Sequence, residues 1–84
     1  PEARNNLALA LEKLGRTEEA IQTYQEGLRL WPNRLDLNFN LALLYYRRGA
    51  RSEAVECLKR ILAIEPQHPE AARLLKDLGK STPR

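Results

Sequence analysis

Apolar residues recur along this chain at intervals of three and four, the spacing that lines one face of an α-helix, and glycines and prolines break the run into five stretches. Gly15 and Gly49 stand where a helix C-terminus favours a residue free to take positive φ. Each is followed within three residues by a hydroxyl side chain, Thr17 or Ser52, expected to cap the next helix, and then by acidic residues suited to its first turn. Pro32 and Pro66 end the helices before them, because proline lacks an N–H and clashes with the preceding turn, whereas Pro1 and Pro69 suit a first helical position. The pattern predicts helices near residues 2–14, 18–30, 35–48, 53–64 and 69–78.

The pattern also repeats. Shifted by 34 residues, Asn6, Leu7, Ala8, Leu9, Gly15, Glu19, Ala20, Leu28 and Pro32 fall on Asn40, Leu41, Ala42, Leu43, Gly49, Glu53, Ala54, Leu62 and Pro66. A third copy begins with Pro69-Glu70-Ala71, echoing Pro1-Glu2-Ala3, keeps Leu75 in register with Leu41, and meets Gly79 where it would continue. The expected organisation is one repeat over 1–34, a second over 35–68, a capping helix or partial third repeat over 69–80 and a tail over 81–84.

This arrangement resembles the tetratricopeptide repeat. Leu7-Ala8, Leu11, Gly15, Ala20, Tyr24 and Pro32 match its pattern in the first copy, and Leu41-Ala42, Tyr45, Gly49, Ala54, Leu58 and Pro66 match it in the second. Arg4 and Asn38 depart from it at the usual Trp-like position, as do Gly27 and Ile61 at a usual Ala. The resemblance implies an all-α, right-handed superhelical solenoid of antiparallel helix pairs, about two and a half repeats long. Ala8, Ala20, Ala42 and Ala54 are expected where helices approach closely, since only a small side chain permits it. Leu7, Leu11, Tyr24, Leu28, Leu41, Tyr45, Leu58, Leu62, Leu75 and Leu78 are expected to fill the space between helices, each copy hiding its apolar face only by stacking on a neighbour.

In the family resembled, the first helix of each pair lines a concave wall where ligands lie. Carried onto this register, that wall is Asn5, Asn6, Leu9 and Glu12, then Phe39, Asn40, Leu43, Tyr46 and Arg47, then Arg73, Leu74 and Asp77. Apolar and aromatic groups beside amides suit a peptide, because an aromatic anchor provides contact area at little rotamer cost and Asn both donates and accepts. One subtype grips an acidic chaperone tail with a clamp of Lys, Asn and Arg. Asn40 matches its middle Asn, but Asn5, Leu9, Glu70 and Leu74 replace the others, so no tight binding of such a tail is expected.

Composition narrows the function. The charge of +3 is uneven: residues 1–34 carry five Lys/Arg against five Asp/Glu, and residues 35–84 carry nine against six, with the excess around Arg47, Arg48, Arg51, Lys59 and Arg60. Arg47 faces the groove in this register and suits an acidic ligand residue, while Arg48 and Arg51 are expected to stay in water. One Cys and one His, Cys57 and His68, make neither a disulfide nor a zinc site. His68 is expected to start a helix, Glu18-Glu19 to sit in a first helical turn, and Trp31 to cover an edge of the core. No set of nucleophile, base or metal ligands suggests catalysis, so the chain reads as a non-enzyme without cofactor or metal. No stretch approaches the roughly 20 apolar residues of a membrane span. The lack of any Met and the opening in mid-pattern read as a segment of a longer protein, expected in the cytoplasm. The leading reading is a protein or peptide partner on the concave wall. Self-association into a homo-oligomer is the alternative, and nucleic-acid binding through the basic second half is a weaker third.

Overall fold

The computed structural model describes residues 2–80, with side chains from Asn6 to Gly79, and forms five helices: α1 (Glu2–Lys13), α2 (Thr17–Leu30), α3 (Leu35–Arg48), α4 (Arg51–Ile64) and α5 (Pro69–Lys80). The expected tail 81–84 lies outside the described residues. The turn within each hairpin has the same chemistry. Gly15 and Gly49 both adopt φ of 80°, which allows the N–H of the next residue to reach back to the last full turn: Arg16 N donates to Leu11 O at 2.8 Å, and Ala50 N to Tyr45 O at 2.9 Å. Gly15 N and Gly49 N add shorter-range bonds to Glu12 O and Tyr46 O, completing a Schellman motif at each turn.

These tight turns displace the expected hydroxyl caps. Arg16 and Ala50 occupy the positions before α2 and α4, neither makes a side-chain capping bond, and Thr17 and Ser52 fall inside the first turn. Acidic first-turn residues, Glu18 and Glu19 in α2 and Glu53 in α4, complement the helix dipole instead. His68 does start α5: its Nδ1 accepts from the Ala71 N–H at 3.1 Å, the bond an N-terminal cap supplies.

Consecutive helices pack on one another, α1 on α2, α2 on α3, α3 on α4 and α4 on α5, so α2 and α4 run in the same direction. The four small residues Ala8, Ala20, Ala42 and Ala54 are completely buried at these contacts, as is Ala71 in α5. Around them, Tyr24, Leu37, Leu58 and Ile61 are fully buried, with Leu28, Leu41, Leu44 and Leu78 nearly so, and Leu11, Tyr45, Leu62 and Leu75 close the margins. Leu7 does not join this core. It is 53% exposed while Leu41, its counterpart one repeat on, is 3% exposed. The difference is positional: α3 packs against both α2 and α4, whereas among the described helices α1 packs chiefly against α2.

Asn38, a mere departure in the sequence pattern, is fully buried. Its amide donates to Arg34 O at 2.9 Å and Pro32 O at 3.2 Å, and its Oδ1 accepts from Arg60 at 3.3 Å. It ties the α2–α3 turn to α4 and leaves none of its polar atoms unsatisfied.

Candidate functional site

The residues expected to line the concave wall lie on α1, α3 and α5. Leu9 and Tyr46 stand out among them, 37% and 39% exposed, which are high values for large apolar side chains in an interior-facing register. Phe39, Leu43 and Leu74 are half-buried, and Asn6, Arg73 and Asp77 are exposed. Asn40 is half-buried and already engaged in a contact within the chain. The side chain of Asn5 is outside the described residues.

Two of the wall residues are joined to each other. The Glu12 side chain is only 11% exposed, accepts from the Tyr24 hydroxyl at 2.7 Å and pairs with the Arg47 guanidinium. Burial, and then the bond to Glu12, hold the Tyr24 hydroxyl far above its ordinary pKa, so it remains a neutral donor. This cluster pins α1, α2 and α3 together and leaves Arg47 facing solvent on one side only. One repeat on, Glu12 and Tyr24 become Tyr46 and Leu58, so the cluster occurs at one junction. Arg48, expected to stay in water, pairs with Glu18 at 2.6 Å across the same junction. The basic corner therefore carries its own carboxylates.

Phe39 is held from its far side. Its ring lies 5.5 Å from the His68 ring, tilted by 39°, and packs against the core. His68 Nδ1 is also 3.8 Å from Glu70, but a nitrogen that accepts the Ala71 N–H has no proton to give a carboxylate, so the cap is the operative bond. A change at Phe39 thus reaches the start of α5 as well as the wall.

A cleft lies elsewhere, between α2 and α4, with a volume of about 510 Å³ and a lining that includes Leu28, Leu41, Tyr45 and Cys57. Burial pushes the Cys57 thiol up to about 11, which keeps it protonated and unreactive at neutral pH. Among the described residues, no group of three His, Cys, Asp or Glu side chains is placed to hold a metal ion, and no helix is long and apolar enough to cross a membrane.

Comparison with known proteins decides the family. The tetratricopeptide-repeat family model matches residues 11–78. The chain belongs to the tetratricopeptide-repeat family. It is accordingly a helical-repeat solenoid, and such repeats are in general non-catalytic modules of protein interaction and assembly. The mouse protein sperm-associated antigen 1 is 32% identical over 85 residues, covering 96% of this chain and 9% of that protein. Photosystem I assembly protein Ycf3 of Prochlorococcus marinus is 31% identical over 74 residues, covering 84% of this chain and 41% of that protein. The chain thus spans less than half the length of either relative.

Three features of the site were not read from the sequence. Asn38 as a buried staple had a signal, a small amide at a position that otherwise takes a large ring. The Glu12–Tyr24–Arg47 cluster needed three helices to be placed at once, and the α2–α4 cleft arises from two helices distant in sequence.

Proposed function

We propose that this chain is a protein-binding module whose concave wall receives a peptide or a segment of another protein, anchored on Leu9 and Tyr46 and bounded by Phe39, Leu43 and Leu74. The observation that carries this reading is the exposure of Leu9 and Tyr46, with Phe39, Leu43 and Leu74 half-buried, at positions that helical register assigns to one face of α1, α3 and α5. Exposed apolar groups that are contiguous and rimmed by polar ones mark interaction sites, whereas isolated ones do not. Asn6, Arg73 and Asp77 supply the polar rim. One relative is named as an assembly protein, which agrees with a role in bringing other proteins together.

Affinity capture from native extract tests it, with wild type compared against Tyr46→Glu and Leu9→Glu. Both positions are exposed, so circular dichroism should be unchanged while captured partners are lost. Phe39→Glu is the poorer probe, because Phe39 also packs on His68 and the core. Capture that is equal in wild type and both variants would remove the wall from the account.

A second reading, self-association, has its own observation. Leu7 on α1 and Leu14 in the turn that follows it are 53% and 69% exposed at the α1 end of the described helices. Light scattering over a range of concentrations separates the two: a monomer throughout leaves the wall free for a different protein, and growth in mass with concentration assigns the α1 end to a second copy. Nucleic-acid binding through the basic corner loses support from the pairing of Arg47 with Glu12 and of Arg48 with Glu18.

A further inference from the structure

The cleft between α2 and α4 is the end of a longer trough. A second hollow of about 360 Å³ shares Gln25, Tyr45 and Glu53 with it and continues toward Glu18 and Ile21. Along α2 the trough runs from Glu18 to Arg29, roughly 16 Å at the helical rise per residue. Leu41 and Tyr45 form its floor from α3, and Leu41 projects about 200° round that helix from Phe39, so the trough lies on the opposite side of α3 from the concave wall.

Its charges are segregated. Glu53 and Glu56 lie nearer the N-terminus of α4, and Arg60 of α4 and Arg29 of α2 lie nearer the C-termini of their helices. Among the described residues Arg29, Glu53 and Glu56 form no ion pair, and Arg60 is held only by the Asn38 amide oxygen at 3.3 Å. At the deep end, Arg48 already neutralises Glu18. The trough therefore has an apolar floor, a negative end and a positive end, and it is open along its length between two helices that run the same way.

We propose that this trough is a second docking site, which takes a short helical segment of a partner protein carrying basic residues in its first turn, an apolar stripe along the floor-facing side and acidic residues in its last turn. The segment lies parallel to α2 and α4. In that direction its side-chain charges face Glu53 and Glu56 at one end and Arg29 and Arg60 at the other, and its helix dipole, positive at the N-terminus, has the same sense. A trough of about 16 Å accommodates about three helical turns. The apolar stripe is supplied with a floor of Leu28, Leu41, the Tyr45 ring and a Cys57 thiol that stays neutral.

The test uses the full chain, isotope-labelled for NMR, and two synthetic helix-forming peptides. One has lysines in its first turn, a leucine stripe at three-and-four spacing and glutamates in its last turn; the other has the lysines and glutamates exchanged. The first peptide is expected to shift the amides of Gln25, Arg29, Tyr45 and Glu56, and to bind about fivefold more tightly than the second, the scale of two exposed charge pairs. In the Arg29→Glu, Glu53→Lys double variant, where Glu56 and Arg60 remain to offset the new charges, the preference should disappear. In the neutral Arg29→Gln, Glu53→Gln double variant, which serves if the charge-reversed one does not fold, the preference should fall, because one charge is left at each end. Tyr46→Glu, on the other side of α3, should change none of this. Equal affinity of the wild type for the two peptides overturns the proposal, as does a preference that the charge changes leave undiminished. So do shifts confined to Leu9 and Tyr46, which would assign the peptide to the concave wall, and absence of binding by either peptide at millimolar concentration.

Discussion

Replacing Asn38 by Ala should be among the costliest single changes in this chain. The side chain is completely buried and makes three hydrogen bonds, donating to Arg34 O at 2.9 Å and Pro32 O at 3.2 Å and accepting from Arg60 at 3.3 Å. Arg34 O would keep a partner, because the Asn38 backbone N–H also reaches it at 3.1 Å, but Pro32 O would lose its bond from Asn38. Two short bonds at about 1 kcal/mol each, with the packing of a buried amide, give a loss of about 2–3 kcal/mol. For a chain of 84 residues the whole stability is roughly 4–12 kcal/mol, so the change removes a large part of it. Thermal unfolding followed by far-UV circular dichroism should show the midpoint lowered by about 10–20 °C. Arg60→Met, which removes only the longest bond from an exposed residue, should lower it by less than about 4 °C. A shift under about 3 °C for Asn38→Ala, or one equal to that of Arg60→Met, would refute the view of Asn38 as a staple between the α2–α3 turn and α4.

Leu41→Ala should cost about 2–4 kcal/mol, whereas Leu7→Ala at the same register should cost under about 0.5 kcal/mol, because only Leu41 is covered; denaturant titrations of the two variants check this. The Arg34 guanidinium holds the Asp36 carboxyl below its ordinary value of 3.8. Because the folded value is the lower one, its stabilisation is complete above the unfolded value and is lost as pH falls through the folded value. Wild type should therefore exceed Asp36→Asn by about 0.5 kcal/mol at neutral pH, with the gap closing in strong acid; a gap that widens in acid would contradict the assignment. Cys57, buried and with its thiol pushed up to about 11, should resist a thiol reagent in the folded chain and react quickly once denaturant is added.

The local punctuation of this fold was legible because it is carried by residues with one strong preference each. Gly15 and Gly49 turn the hairpins through positive φ, Pro32 and Pro66 lie just beyond helix ends, and the four alanines mark the close approaches. Thr17 and Ser52 misled because a hydroxyl near a helix start is a cap only if the turn leaves it outside the helix, and the two Schellman turns draw it in. Leu7 misled for a different reason: burial in a stacked repeat depends on the neighbour, and the repeat pattern is the same whether or not a neighbour is present. On the candidate wall, side-chain register is what assigns Leu9, Leu43 and Tyr46 to one expected stripe. It did not reveal that Glu12 and Arg47 meet each other, since that depends on the angle between α1 and α3.

The most direct test of the central claim is site-specific photo-crosslinking in native extract, with a photoreactive phenylalanine analogue placed at Tyr46 on the concave wall and, as a control, at Lys59 on α4, both exposed. The account predicts crosslinks from position 46 to a discrete protein other than this chain, and their absence from position 59. Crosslinks from position 46 to a second copy of this chain, or the same products from both positions, would contradict it.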